Sequence, residues 1–559
     1  MTRLPIEPLL PELLAALAAR PCVVLEAPPG AGKTTRLPLA LLDERTTPWL
    51  AGKSIMMLEP RRLAARNAAL YMAAELGEEA GGRIGYRVRF DSKVGPQTRI
   101  EVVTEGILTR RLQHDPELAG VGLVIFDEFH ERNLHSDLAL ALCLDAQQGL
   151  REDLKLLVMS ATLDGDRVAT LLDAPLLRSD GRSYPVAHHY LPREPEGRIP
   201  EVAASAVCRA LAQETGDLLV FLPGGGEIHR TLDLLRAEPA CTGIDLYPLY
   251  GDLPHSEQER AILPSPAGRR KVVLTTNIAE SSLTIEGVRV VIDAGWQRVP
   301  RFEPRSGLTR LETVRVSRAS ATQRAGRAGR LAPGVCYHLW SETTQQGLIP
   351  WNNPEIIEAD LAPLALELAQ WGVADAATLR WLDAPPAAAL AQARQLLQQL
   401  GALDGHLRIT TDGAAMARLP LHPRLAHMLV RADSMGEGAL ACDIAALLSE
   451  RDILRGVAGE RRCDFALQLE ALRAHRAHRA KVAGGARAYG ADSNACRAVE
   501  QAARQWRHLL TLQVDNSTVA DEQVGALLAL AYPDRVARRR EGEGGRYLLA
   551  NGCGAALSR

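Results

Sequence analysis

The sequence predicts an α/β protein: two tandem domains built on parallel sheets, followed by a mostly helical region. The first observation is a series of short apolar runs through the first 340 residues: Cys22–Glu26, Ser54–Leu58, Ile100–Thr104, Leu123–Phe126, Leu156–Ser160, Leu218–Leu222, Val272–Thr276 and Val288–Asp293. Amphipathic stretches with helical spacing, such as Leu63–Leu76 and Glu201–Thr215, lie between them. Continuous apolar strands alternating with helices belong to parallel sheets covered on both faces. Secondly, the pattern runs once to about Leu172, pauses at Gly181–Pro185 and the Pro/Glu-rich Pro192–Pro200, and then resumes. Thirdly, strand signals fade after about Pro350, where Ala387–Leu400 and Glu437–Leu454 read as helices.

Composition fits this plan. The 559 residues are 47% hydrophobic and 24% charged, ordinary globular values that set aside disorder, collagen and coiled coil. Such a length holds about three to five domains with cores of their own. No apolar run approaches the roughly 18 residues of a membrane span, and the start lacks the pattern of an export signal. Nine cysteines are scattered without metal spacing or a disulfide framework, which suits a reducing compartment, the cytoplasm. A net charge of −2 gives no global pull on nucleic acid, so any such binding needs local patches.

After the first strand comes Ala27-Pro28-Pro29-Gly30-Ala31-Gly32-Lys33-Thr34-Thr35, then a helical stretch. A strand, a Gly-rich turn and a helix start aim N–H groups and the positive helix end at one point, which suits phosphate. Pro28 and Pro29 carry no N–H, so the donors come from Gly30, Ala31, Gly32, Lys33, Thr34 and Thr35. Lys33 would neutralise the β- and γ-phosphates, and the Thr34 hydroxyl would hold Mg²⁺.

The strand Leu123–Phe126 ends in Asp127-Glu128-Phe129-His130. Two adjacent carboxylates at a strand's C-terminal edge fit one Mg²⁺ partner, Asp127, and one group that orients water, Glu128. His130 and His135 superficially suggest a zinc-protease helix, but the i+5 spacing swings the second imidazole about 100° too far round, so a zinc peptidase is rejected.

Further motifs follow in order: Pro60-Arg61-Arg62, Thr104-Glu105-Gly106, Ser160-Ala161-Thr162, Thr276 through Thr284, and Gln323-Arg324-Ala325-Gly326-Arg327-Ala328-Gly329-Arg330. The set resembles the DEAH/RHA family of superfamily 2 ATP-dependent helicases from about Leu10 to at least Pro423. The Asp127–Arg132 variant is similar to the bacterial HrpB type.

The resemblance implies two RecA-like P-loop NTPase domains at 1–175 and 176–347, a winged-helix domain at 348–412 and a helical-bundle "ratchet" domain at 413–540. Residues 541–559, with the strand-like Arg546–Ala550, would open an OB-like domain of which the chain holds only the start. It also implies roles: Lys33, Thr34 and Asp127 for ATP (or another nucleoside triphosphate) and Mg²⁺, Glu128 for the attacking water, and Gln323 for the γ-phosphate. Arg327 and Arg330 would be arginine fingers, and His130, Ser160 and Thr162 would couple hydrolysis to domain movement. Where relatives sandwich the base between an arginine and an aromatic ring, this chain has Tyr71 and Ile262, so poor discrimination among nucleotides is expected.

A single strand, RNA before DNA, would lie on Arg61, Arg62, Thr104, Gly106, Thr276, Ser281 and Thr284, backbone contacts without sequence readout. Gly295–Val316 reads as strand, turn, strand, the place of the family's strand-separating hairpin. Residues 451–510 hold 12 Lys/Arg against 6 Asp/Glu, and Arg473, Arg476 and Arg479 could form a basic face or a plain solvated one. Trp506 is expected in the core. The resulting expectation is a monomeric helicase with 3′-to-5′ polarity; the alternative is a nucleic-acid-stimulated NTPase that clamps or remodels RNA without processive unwinding. A small-metabolite phosphotransferase would leave Gln323–Arg330 and the second α/β domain unexplained.

Overall fold

The computed structural model describes residues 4–28, 30–161, 165–179, 184–251, 253–265, 268–280, 285–304, 306–330, 332–454, 464–480, 490–516, 520–541 and 545–556. Two compact units divide the chain: Met1–Asp360 with Leu379–Pro386, and Leu361–Thr378 with Ala387–Arg559.

The first unit holds two sheets. One is built from β1 (Cys22–Glu26), β2 (Ser54–Leu58), β3 (Ile84–Val88), β4 (Asp91–Lys93), β5 (Ile100–Val103), β6 (Val121–Phe126), β7 (Lys155–Ser160) and β8 (Leu176–Arg178). Among the described residues their order is β4-β3-β5-β2-β6-β7-β1-β8, parallel except for the β3–β4 pair. The central strands are buried on both faces, so they read as unbroken apolar runs, and β1 and β2 coincide with the expected segments. Interior β3, broken by Gly85 and Arg87, and the edges escaped the sequence reading. β4 is three polar residues, and β8 is a short half-exposed strand that pairs with β1, so the first sheet reaches past residue 175.

The second sheet contains β9 (Val186–Leu191), β10 (Asp217–Phe221), β11 (Asp245–Leu249), β12 (Lys271–Thr275), β13 (Val288–Asp293) and, further along, β16 (Gly334–Ser341), in the order β11-β12-β10-β13-β16-β9. Its two edge strands explain why they were missed: β11 carries Pro248, tolerated only at an edge, and β9 carries two histidines on a largely exposed face. Between β13 and β16, β14 (Trp296–Glu303) and β15 (Leu308–Arg315) form the expected antiparallel hairpin, pairing Trp296 with Arg315 and Glu303 with Leu308. Its outer strand is exposed, and ion pairs of Arg298 with Glu227, Arg301 with Glu358 and Arg315 with Glu194 tie its base down.

The second unit is helical, with β17 (Ala537–Arg539), β18 (Arg546–Leu549) and β19 (Gly554–Ala556) in a small antiparallel sheet near its end. The helix expected over 437–454 stops at Ser449, and Leu454 instead bridges Ala491. Trp506 is fully buried, as expected. Of the three arginines offered as a basic face, Arg476 is turned inward. It makes two hydrogen bonds of 2.7 Å to Asp443 and one to Glu500, while Arg507 reaches Asp443 at 2.6 Å and Glu500 at 2.7 Å. The face therefore loses its middle arginine to the bundle core; the Arg479 side chain lies outside the described residues. No helix among the described residues is long and apolar enough to cross a membrane.

Removing one member of a buried charge network leaves the others uncompensated. Asp443→Ala should destabilise the helical unit by about 3–5 kcal/mol, read as an earlier urea transition, whereas substitution of the exposed Glu522 should leave that transition in place.

Candidate functional site

The site is assembled where parallel strands end. β1 runs into the Gly-rich turn, whose Ala27 N–H bonds the Ser160 carbonyl at the end of β7 (3.0 Å). Gly30 and Gly32 take φ of +85° and +96°, which suits glycine. A Cβ on Gly32 would also press on Leu4 and Ile6 at 3.0 and 3.1 Å, because the chain's first turns brace the back of the loop. Lys33 follows, then Thr34 and Thr35, the last leading into the helix Arg36–Ala40.

Beside the loop, β6 delivers Asp127 and Glu128. Lys33 Nζ lies 2.7 Å from Glu128 Oε2 and 3.5 Å from Asp127 Oδ1, and the Thr34 hydroxyl donates to Asp127 Oδ2 at 2.5 Å. Glu128 sits in the left-handed region (φ +49°), a strained conformation for a residue with a side chain, held in part by its own N–H bonding Asp127 Oδ1. Burial works against the charge on Lys33, yet Glu128 and Asp127 outweigh it and hold the ammonium well above its usual range. Burial likewise opposes the charge on Glu128, and Lys33, His130 and Arg327 together pull it well below the usual carboxylate range. The Ala161 N–H points at His130 Nδ1 (3.4 Å), joining the segment after β7 to the acidic turn.

Charge from the second sheet's side completes the site. Arg327 and Arg330 both act electrostatically on or with Glu128. Burial, then the Arg330 charge, pushes Arg327 well down; burial pushes Arg330 down to about 10. Gln323 lies half-buried on the helix Arg318–Ala325. Thus Lys33, Thr34, Asp127, Glu128, Arg327 and Arg330 are brought together, with His130 and Ser160 at their margin.

The expected strand-contacting residues are more dispersed. Arg62 is exposed at the start of the helix Arg62–Glu75, and Thr104 caps the helix Glu105–His114, which holds Gly106 near its start. Thr276 is half-buried just beyond β12. Arg61 is already engaged: it donates to the Asn277 carbonyl at 2.7 Å and pairs with Glu131 at 3.1 Å, linking the two sheets. Thr162, Ser281 and Thr284 lie outside the described residues.

Three glutamates were given no role of their own from sequence, although Glu105 and Glu280 lie inside the Thr104–Gly106 and Thr276–Thr284 motifs. Glu59 directly follows β2 and is buried beside Asp127; burial and then the Asp127 and Glu128 charges push its carboxyl well up. The signal was an acid ending an apolar strand next to the strand that ends in Asp127. Glu280 accepts from Ser320 (2.6 Å) and Arg324 (2.9 Å), while its carbonyl accepts from Arg327 Nε (2.9 Å), so it aims the arginine segment. Glu105 accepts from Ser136 (2.6 Å) and Asn133 (2.9 Å), tying the Thr104–Gly106 segment to the chain beyond the acidic turn.

Chemically, the arrangement fits a triphosphate. A buried ammonium and two guanidiniums stand ready for spread negative charge, and the Thr34 and Asp127 oxygens form a hard donor set of the kind Mg²⁺ takes. Comparisons agree with this. Residues 10–171 match the DEAD/DEAH box helicase model, 203–332 the helicase conserved C-terminal domain, and 393–421 the winged-helix helicase associated domain (HA2). The chain is 50% identical over its whole length to the ATP-dependent RNA helicase HrpB of Escherichia coli, spanning 64% of that protein. It is 36% identical over 81% of its length to the Saccharomyces cerevisiae protein named "Probable ATP-dependent RNA helicase DHR2", spanning 62% of it. A crystal structure of the Escherichia coli DEAH/RHA helicase HrpB superposes with a TM-score of 0.84 at 49% identity, over 99% of this chain and 66% of that one. The chain therefore spans under two thirds of the length of the relatives it matches.

Burial pushes the Glu105 carboxyl from its ordinary 4.5 up to about 7, against the pull of Ser136 and Asn133. Between those values the folded state holds a proton that the unfolded state has lost, so this group's contribution to stability falls as pH rises through that window. Glu105→Gln keeps an oxygen for both donors and should flatten the fall, seen as urea midpoints that vary less with pH than those of the unmodified chain.

Proposed function

The chain belongs to the DEAH/RHA family of helicases, of the HrpB type, and from that premise we propose that it is an ATP-dependent RNA helicase. It would couple hydrolysis to movement along a single strand with 3′-to-5′ polarity. The observation that carries this reading is the facing of Lys33, Thr34, Asp127 and Glu128 on one sheet's edge by Arg327 and Arg330 from the other side.

Lys33 neutralises Glu128 directly. An arriving triphosphate competes for the ammonium, which turns to the β- and γ-phosphates and releases Glu128 from its strongest partner. The Glu128 carboxylate then regains proton affinity and orients water in line with the γ-phosphate. Thr34 and Asp127 would hold Mg²⁺, which when bound neutralises phosphate charge. Arg327 and Arg330 meet the charge that spreads over the transferring group, with Gln323 beside them, so turnover depends on the cleft being closed. His130, Ser160 and Thr162 would pass that state to the strand-contacting segments. There Arg61, Arg62, Thr104, Gly106, Thr276, Ser281 and Thr284 would hold backbone, and the β14–β15 hairpin would part a duplex. An exposed Tyr71 and a half-buried Ile262 offer little grip on a base, consistent with use of several nucleoside triphosphates.

The test is steady-state ATP hydrolysis alone, with single-stranded RNA and with single-stranded DNA, using Lys33→Ala as blank. Stimulation by RNA is expected; none by either strand, with hydrolysis still lost in the blank, would overturn the assigned substrate. Displacement of a tailed duplex separates unwinding from clamping. Glu128→Gln should bind nucleotide at least as tightly, since a competitor for Lys33 is weakened, while turnover falls about 10²–10⁴-fold. Arg327→Ala should lower turnover about 10³-fold or more and leave the thermal transition cooperative; loss of that transition would mean a structural role instead.

A further inference from the structure

Away from the nucleotide site, the edge of the second sheet brings together three metal-ligating side chains that no motif joins. His188 on β9 stands opposite Cys336 on β16 in the ladder, and His338 follows two residues along on the same face. His188 Nδ1 and His338 Nε2 are 2.9 Å apart, and Cys336 Sγ is 3.9 Å from His338 Nδ1. One donor atom from each of the three lies within 4.8 Å of the others.

The surroundings suit an ion. Cys336 and His338 are buried, whereas His188 is exposed and opens a path from solvent. Tyr190 stacks on His338 with ring centroids 4.6 Å apart, and Trp340 meets it edge-on at 4.6 Å, fixing the imidazole plane. Asp293 stands opposite His338 on the other neighbouring strand. Its Oδ1 is ion-paired with Arg324, while the buried Oδ2 has no hydrogen-bond partner.

We propose that His188, Cys336 and His338 form a binding site for a thiophilic divalent transition-metal ion, Zn²⁺ by its donor set. Zinc takes imidazole nitrogen at about 2.0–2.1 Å and thiolate at about 2.3 Å in a tetrahedron, and a three-ligand site leaves its fourth position to water. Tetrahedral donors at those lengths stand about 3.3–3.6 Å apart, so the two imidazoles part slightly and the thiol swings in. On binding, the Cys336 proton leaves to solvent. The N–H between the rings moves to the far nitrogen of its own ring, so each imidazole keeps one proton and offers one lone pair. The ion then staples edge strand β9 to β16. Softness decides the metal: nitrogen and sulfur favour zinc over the magnesium suited to the Thr34 and Asp127 oxygens.

The test is a cobalt(II) titration of the chelator-treated full chain, followed by thiolate-to-cobalt charge-transfer absorption, which an oxygen-ligated ion at Asp127 cannot produce. One equivalent of signal is expected, displaced by Zn²⁺ and absent in Cys336→Ser. In His188→Asn, an exposed position, cobalt affinity should fall at least about tenfold, and the rise in thermal midpoint that Zn²⁺ gives the unmodified chain should vanish. No charge-transfer band at excess cobalt, or a band that persists in Cys336→Ser, overturns the site. Should Cys336→Ser lose its cooperative thermal transition, His188→Asn decides alone, and unchanged cobalt affinity there overturns it.

Discussion

Everything in the first unit is arranged around one buried contact, the Lys33 ammonium against the Glu128 carboxylate at 2.7 Å. A buried cation without a partner would be strongly destabilising, so the strands that carry the two ends must be held in fixed register. β1 and β6 both lie in the interior of the sheet, separated by β7, and their turns open at the same edge. The same ammonium also answers Asp127 at 3.5 Å, so one cation serves two carboxylates.

The acidic cluster around that pair is crowded. Glu59, Asp127 and Glu128 converge on one ammonium, and Glu59 answers the crowding by favouring its neutral form, as burial and two neighbouring carboxylates require. On the other side, Glu280 does the reverse for the arginines. It gathers Ser320 and Arg324 on its carboxylate and Arg327 on its carbonyl, so that the helix Arg318–Ala325 presents its following arginines at a fixed height. Arg61 links the two sides by holding both the Asn277 carbonyl and Glu131. A residue expected to hold a strand is thereby also a bridge between the two sheets.

Most central strands were legible because burial on both faces writes a continuous apolar run. Interior β3, broken by Gly85 and Arg87, and β16, broken by Tyr337 and His338, were not. The Lys33 and Asp127 turns were legible because their residue types are constrained at fixed spacing. Edge strands were not. Pro248 in β11 and the paired histidines of β9 belong to positions where one side faces water, and nothing in the local sequence distinguishes them from loop. The roles of Glu59, Glu105 and Glu280 escaped for another reason: even inside a motif each looks like an ordinary acid until folding brings it beside Asp127, Ser136 or Arg324. Arg476 was misread because charge composition gives the number of arginines on a helix and not the direction each faces. The distance between His188 and Cys336 along the chain hides their pairing in the same way, since only the order β16-β9 makes them neighbours.

The two buried charge networks show how structural and working clusters differ physically. In the helical unit, Asp443 and Glu500 are each met by both Arg476 and Arg507, so opposite charges alternate; burial lowers the Arg476 pKa, but Asp443 and Glu500 outweigh it and hold the guanidinium above its ordinary range. That network is complete, and a ligand could only disturb it. In the first unit like charges are pressed together. Arg327 is pushed down by burial and by Arg330, Glu59 is pushed up by burial and by Asp127, and Glu128 holds a left-handed backbone. Folding retains such unfavourable proximity only where surrounding packing enforces it, as the Leu4 and Ile6 brace and the Glu280 cradle do here. A bound polyanion would relieve the repulsion between the arginines, and a bound cation the repulsion between the carboxylates. The arginines and the carboxylates are therefore the charges that the first unit itself leaves least balanced.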